Sequence, residues 1–106
     1  MANYQIEMVK GDTLSFGLEF DGLNQELSSM TMTCRKTALD ENIAFQKTIG
    51  DGISMPEENH YVVRVAPEDT ENLDAGNYQF DLEIRVNGDV FTIMIGIIVL
   101  EQDVTY

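Results

Sequence analysis

Apolar and polar residues alternate with a period of two along most of this chain, the pattern of strands with one buried and one wet face. It is clearest where Tyr78, Phe80, Leu82, Ile84 and Val86 interleave with Gln79, Asp81, Glu83 and Arg85. Asn87-Gly88 follows, and this dipeptide suits a type I′ turn because both central residues need positive φ and the turn's twist matches two right-twisted strands. The spacing therefore predicts a hairpin. A two-residue loop sets Val86 opposite Asp89, Ile84 opposite Phe91, Leu82 opposite Ile93 and Phe80 opposite Ile95, all toward the core.

Upstream, the same alternation predicts strands over Tyr4–Val9, over Leu14–Phe20 and around Met30, Met32 and Cys34. Further strands are expected over Ile43–Ile49, briefly over Ile53–Met55 until Pro56 breaks the pairing, and around Tyr61, Val63 and Val65. Lys10-Gly11-Asp12-Thr13 turns the first strand into the second, and Leu23–Leu27 reads as a loop. Pro67-Glu68-Asp69-Thr70 starts a helical turn toward Leu73, which would carry the chain from one sheet to the other. Leu73-Asp74-Ala75-Gly76-Asn77-Tyr78 then reads as a tyrosine corner, in which a Tyr two positions before a core residue hydrogen-bonds to upstream backbone. The plainer reading is a glycine turn with a half-buried Tyr. Together these elements predict an all-β fold, an immunoglobulin-like antiparallel two-sheet β-sandwich of about seven to eight strands forming a single domain over residues 1–106.

The last strand raises a question of cover. Under the register above, its outer face receives Thr92, Met94, Gly96, Ile98 and Leu100, with Met94, Ile98 and Leu100 as a contact stripe and Thr92 and Gly96 allowing close backbone approach. A slide of one residue would expose Phe91, Ile93, Ile95 and Ile97 instead. The outer face is apolar in either case. It needs a cover, from the chain's own N-terminal strand or a loop, or from another subunit.

Charge narrows the partners. Nineteen acidic against six basic residues give a net charge of -13, which repels phosphate backbones and anionic membranes, so neither nucleic acid nor membrane is an expected partner. The longest apolar run, Val90–Leu100, is too short for a helical span and is interrupted by Thr92 and Gly96. The lone Cys34 has no intrachain disulfide partner, and the N-terminus lacks a secretory apolar region, so folding in a reducing cytoplasm is expected.

Catalytic constellations are thin. His60, near Glu57 and Glu58, reads as a solvated surface residue, and Ser28, Ser29 and Ser54 lack any nucleophile context. The acidic pairs Asp40-Glu41, Glu57-Glu58 and Glu68-Asp69 lack the odd-position spacing of a calcium loop, and no His or Cys pair has metal-ligand spacing. No catalytic residue, metal or cofactor is therefore assigned. A carbohydrate-binding or adhesion module is the rival reading, though the chain has no Trp for a sugar platform and offers only Tyr4, Tyr61 and Tyr106. A small hydrolase ranks behind both.

Several short motifs recur together: Gly11-Asp12-Thr13 before a strand, Pro67-Glu68-Asp69-Thr70 before Leu73, Gly76-Asn77-Tyr78 opening the hairpin, then Asp81, Thr92, Gly96 and a terminal Asp103-Val104-Thr105. In these the chain resembles the N-terminal domains of phage baseplate upper proteins and related prophage tail proteins. The resemblance implies a non-enzymatic β-sandwich that docks a longer protein onto the baseplate, located in the virion, partnered by other phage structural proteins and forming homo-oligomers. Longer members of that family continue past the Asp-Val-Thr ending, whereas this sequence ends at Tyr106, so the docking half is what is expected here. Gly11, Asp12, Asp74, Gly76, Tyr78, Asn87 and Gly88 are expected as determinants of the corner and turns rather than as binding residues.

Overall fold

In the computed structural model, residues 3–19, 28–37, 42–57 and 59–102 are described. Phe20, the Leu23–Leu27 loop, Asp40-Glu41, Glu58, Asp103-Val104-Thr105 and Tyr106 lie outside them. The alternating segments form strands β1 (Asn3–Val9), β2 (Leu14–Glu19), β3 (Ser29–Arg35), β4 (Ile43–Ile49), β5 (Gly52–Glu57), β6 (His60–Val65), β7 (Gly76–Val86) and β8 (Asp89–Glu101), with one helical turn, α1 (Pro67–Thr70), between β6 and β7. Hydrogen bonding runs continuously in the order β1-β8-β7-β3-β4-β5-β6-β2.

The sheet folds on itself between β4 and β5. There the chain loops through Gly50 and Gly52, both at positive φ, and β5 leaves parallel to β4 with only Thr48 and Gly52, and Ile49 and Ile53, paired. On one side of the bend lie β1, β8, β7, β3 and β4, on the other β5, β6 and β2. Met30, Met32, Cys34 and Leu82 from the first layer are fully buried in one cluster with Val63 and Val65 from the second, while alternate residues of the same strands face outward. Two stacked layers around one core satisfy that pattern, and the fold is an immunoglobulin-like all-β sandwich.

The hairpin turn is as the dipeptide demands: Asn87 and Gly88 sit at φ 51° and 85°. The corner forms too, with the Tyr78 hydroxyl donating to the carbonyl oxygen of Asp74 at 2.8 Å and the ring buried. Lys36 places its Nζ 4.5 Å from the centre of that ring. At α1, the Asp69 carboxylate accepts from the Ala66 N–H at 2.7 Å and pairs with Lys47 of β4, while buried Thr70 accepts from the Gly11 N–H at 2.9 Å. The Gly11 turn and the Pro-Glu-Asp-Thr turn, far apart in sequence, are thus one structural joint, and Asp12 closes it with an N–H to the Val9 carbonyl.

One strand runs further than expected. Pro56 does not end β5, because the register with β6 slips between Ser54 and Glu57 and leaves no ladder bond for the missing N–H to make.

Candidate docking face on the last strand

The turn fixes the first rungs of β8 as the sequence predicts: Val86 opposite Asp89, Arg85 opposite Val90, Ile84 opposite Phe91 and Glu83 opposite Thr92. The next rung differs. Leu82 faces Met94, so Ile93 is an extra residue in a bulge, and every position beyond it changes face. Gly96 supplies the steric cause. It lies opposite Phe80, and a Cβ there would sit 2.5 Å from the Tyr4 carbonyl oxygen and 2.6 Å from Phe80 Cε1. The unbulged register would put Ile95 in that slot, where a branched side chain has no room.

The predicted contact stripe is therefore corrected. Met94, Ile98 and Leu100 face the core at 9%, 1% and 2% exposure, and Gly96 gives close approach to β1 and to the Phe80 ring rather than to another subunit. Thr92 alone of that set is exposed. Outward instead face Val90, Ile95 and Ile97, at 48%, 41% and 38% exposure, with Val99 half-buried behind them. Phe91, on the core side of the hairpin tip, remains 50% exposed, and Ile93 is half-buried. The outer face is apolar, as either register required. The strand β1 pairs along the edge of β8, parallel to it, and so does not cover this ridge.

Polar strands flank the ridge. β1 presents Gln5 and Glu7 on the same face, while β7 presents Gln79, Asp81, Glu83 and Arg85, and β3 beyond it presents Thr33 and Arg35. Between β3 and β8 these side chains leave a cup of about 150 Å³, lined by Thr33, Arg35, Gln79, Asp81 and Ile95 over Phe80. Partial burial, and then the Glu83 carboxylate beside it, push the Asp81 pKa up, against the opposing pull of Arg35. The Arg35 Nε is buried there with no hydrogen-bond acceptor.

The remaining candidates lie elsewhere. Cys34 is buried in the core and its thiol is pushed up to about 12 by that burial, so it acts as a small hydrophobe. His60 sits 3.5 Å from Glu19 and 3.9 Å from Glu57, all three well exposed to water. Tyr61 is buried and Tyr4 is half-exposed at the β1 edge. Among the described residues no three of His, Cys, Asp and Glu converge as metal ligands, and no helix is long and apolar enough to cross a membrane.

No protein-family model matches the chain, and no curated protein matches it by sequence. Solved structures resemble it in fold. One is the extracellular domain of the voltage-gated sodium channel beta4 subunit, at a TM-score of 0.52 and 11% identity over 96% of this chain and 93% of that one. That protein forms parallel homodimers that explain its role in cell-cell adhesion. At this identity the likeness establishes the immunoglobulin-like fold.

Proposed function

We propose that this chain is a non-enzymatic docking module of a phage or prophage tail, joined to its assembly through the outer face of β8 and associating there with further copies of itself. The observation that carries the reading is the ridge of Val90, Ile95 and Ile97, exposed in the middle of a sheet face whose neighbouring strands are polar. Support for the virion setting comes from the turn motifs that resemble baseplate upper proteins. Support for self-association comes from the homodimers formed by a neighbour of the same fold.

Two measurements test it. Light scattering coupled to size exclusion, across a tenfold range of concentration, should give a homo-oligomer for the chain and a monomer for Ile97→Lys; a monomer throughout refutes self-association. Mass spectrometry of particles released on prophage induction should find the chain in the purified tails, and its absence refutes the virion role.

A further inference from the structure

The outer face is unequal on the two sides of the β8 ridge. One strand to one side, Gln5 of β1 stands level with Ile97. One strand to the other side, Gln79 of β7 is also level with Ile97, and Arg35 of β3 is level with Gln79. Neighbouring strands lie about 4.8 Å apart, so Gln5 and Gln79 are offset equally from the ridge in opposite directions.

The cup beside Gln79 calls for a particular group. Its Arg35 Nε has no acceptor, and Asp81 offers a carboxylate on the facing wall. An anion entering would meet Asp81, and a cation would meet Arg35. A neutral carboxamide suits both walls, since its oxygen accepts from the part of the Arg35 guanidinium that lines the cup while its N–H donates to Asp81.

Symmetry joins the two sides. A twofold axis lying along the ridge, in the plane between two stacked faces, keeps each residue's level along the strand and exchanges left with right. It therefore lays β1 of each copy over β7 of the other. Tilting the axis about 15° from the strands gives the crossing of about 30° usual for aligned sheets. Resting on the docking reading above, we propose that two copies associate in parallel about such an axis, stacking their Ile95–Ile97 ridges and placing the Gln5 carboxamide of each copy in the Arg35–Asp81 cup of the other.

Charge is compatible at close range and adverse at long range. Glu7, the acidic residue on the outer side of β1, comes level with Val99 and Asn77, which are uncharged. With -13 on each copy, long-range repulsion opposes the encounter, and it is screened within about 8 Å at physiological salt, so added salt strengthens the dimer. A stable contact takes about 800 Å² from each partner, about an eighth of the 6733 Å² surface of this chain.

The test uses single exposed cysteines and a short bis-maleimide, whose reach suits faces stacked about 10 Å apart. Gln5→Cys and Gln79→Cys proteins, mixed, should give about tenfold more covalent dimer than either alone, and Ile97→Cys should cross-link to itself because it lies at the axis. Buried Cys34 adds no background. By sedimentation, Gln5→Ala should raise the dimer Kd about tenfold, and moving from low to physiological salt should lower it. A salt-strengthened oligomer that yields no Gln5–Gln79 product overturns this arrangement and leaves the docking reading standing. A chain that stays monomeric overturns the arrangement and self-association together.

Discussion

The Lys47–Asp69 pair offers the sharpest check on how the two layers are joined. Lys47 of β4 is 8% exposed as a residue, and its ammonium reaches an Asp69 side chain that is itself only 16% exposed. Its aliphatic stem passes over Gly52, where any Cβ would collide with it. Breaking a buried ion pair by removing one partner costs about 3–5 kcal/mol, because the other charge is left without compensation. Residual exposure of both partners places this pair at the lower end, near 3 kcal/mol. Asp69→Asn isolates the charge, since the amide oxygen still accepts from the Ala66 N–H; Asp69→Ala removes the cap as well and adds about 1 kcal/mol.

A double-mutant cycle separates pairing from packing. Lys47→Met keeps the stem's volume and should cost about 2 kcal/mol, since Asp69 keeps its backbone donor and some water. With Asp69→Asn near 3 kcal/mol, the double variant should cost about 3 kcal/mol rather than the sum of about 5, a coupling of about 2 kcal/mol. Urea unfolding at 25 °C reads all four proteins, with equal m values confirming that the same surface is exposed in each. A coupling below about 0.5 kcal/mol is what a surface pair would give, and it would refute the claim that this bridge is a buried tie between strand and helical turn.

Tyr78→Phe removes the hydrogen bond to the Asp74 carbonyl without changing ring volume, and should cost about 1 kcal/mol in urea unfolding; no loss argues against the corner as a stabilising joint. Met94→Lys buries an unpaired ammonium and should cost more than about 3 kcal/mol, whereas Ile95→Lys one residue away should change stability by less than about 0.5 kcal/mol. Equal effects from the two would contradict the bulge. The Cys34 thiol, pushed up to about 12 from 9.0, stays protonated in the fold while the unfolded thiol ionises, so stability falls as pH rises from 9 toward 12. Between pH 9 and 10 the chain should lose about 1 kcal/mol more than Cys34→Ala does, and parallel profiles for the two would refute the shift.

Strand positions, the Asn87-Gly88 turn and the tyrosine corner were all legible in the sequence because each rests on local chemistry: alternation, positive φ and one hydroxyl within reach of nearby backbone. The face of β8 was not, because alternation reports only that a strand has two faces. Its phase depends on a residue count against β7, and a bulge changes that count without leaving a composition signal. Gly96 was the available clue. Opposite Phe80 it marks a place where backbone and ring crowd together, and placing it on the core side forces the shift at Ile93. The contact between Gly11 and Thr70 and the cup beside Arg35 were beyond reach for another reason: both are assembled from segments distant in sequence.

Folding of the core thus decides what the outside of β8 must show. Once Met94, Gly96, Ile98 and Leu100 are drawn inward, Ile95, Ile97 and Val99 face out, and nothing in core packing asks them to be apolar. Strand propensity does not ask it either. Thr serves a central strand about as well as Ile, and β7, alongside, fills its outward positions with Gln79, Asp81, Glu83 and Arg85. Two adjacent strands of one sheet, under the same local demands, carry opposite chemistry on the same face. Edge protection cannot explain the difference, because β8 lies inside the sheet between β1 and β7. What distinguishes the β8 ridge is an exposed apolar surface that neither core packing nor strand propensity calls for, and on that surface cost the proposed docking face rests.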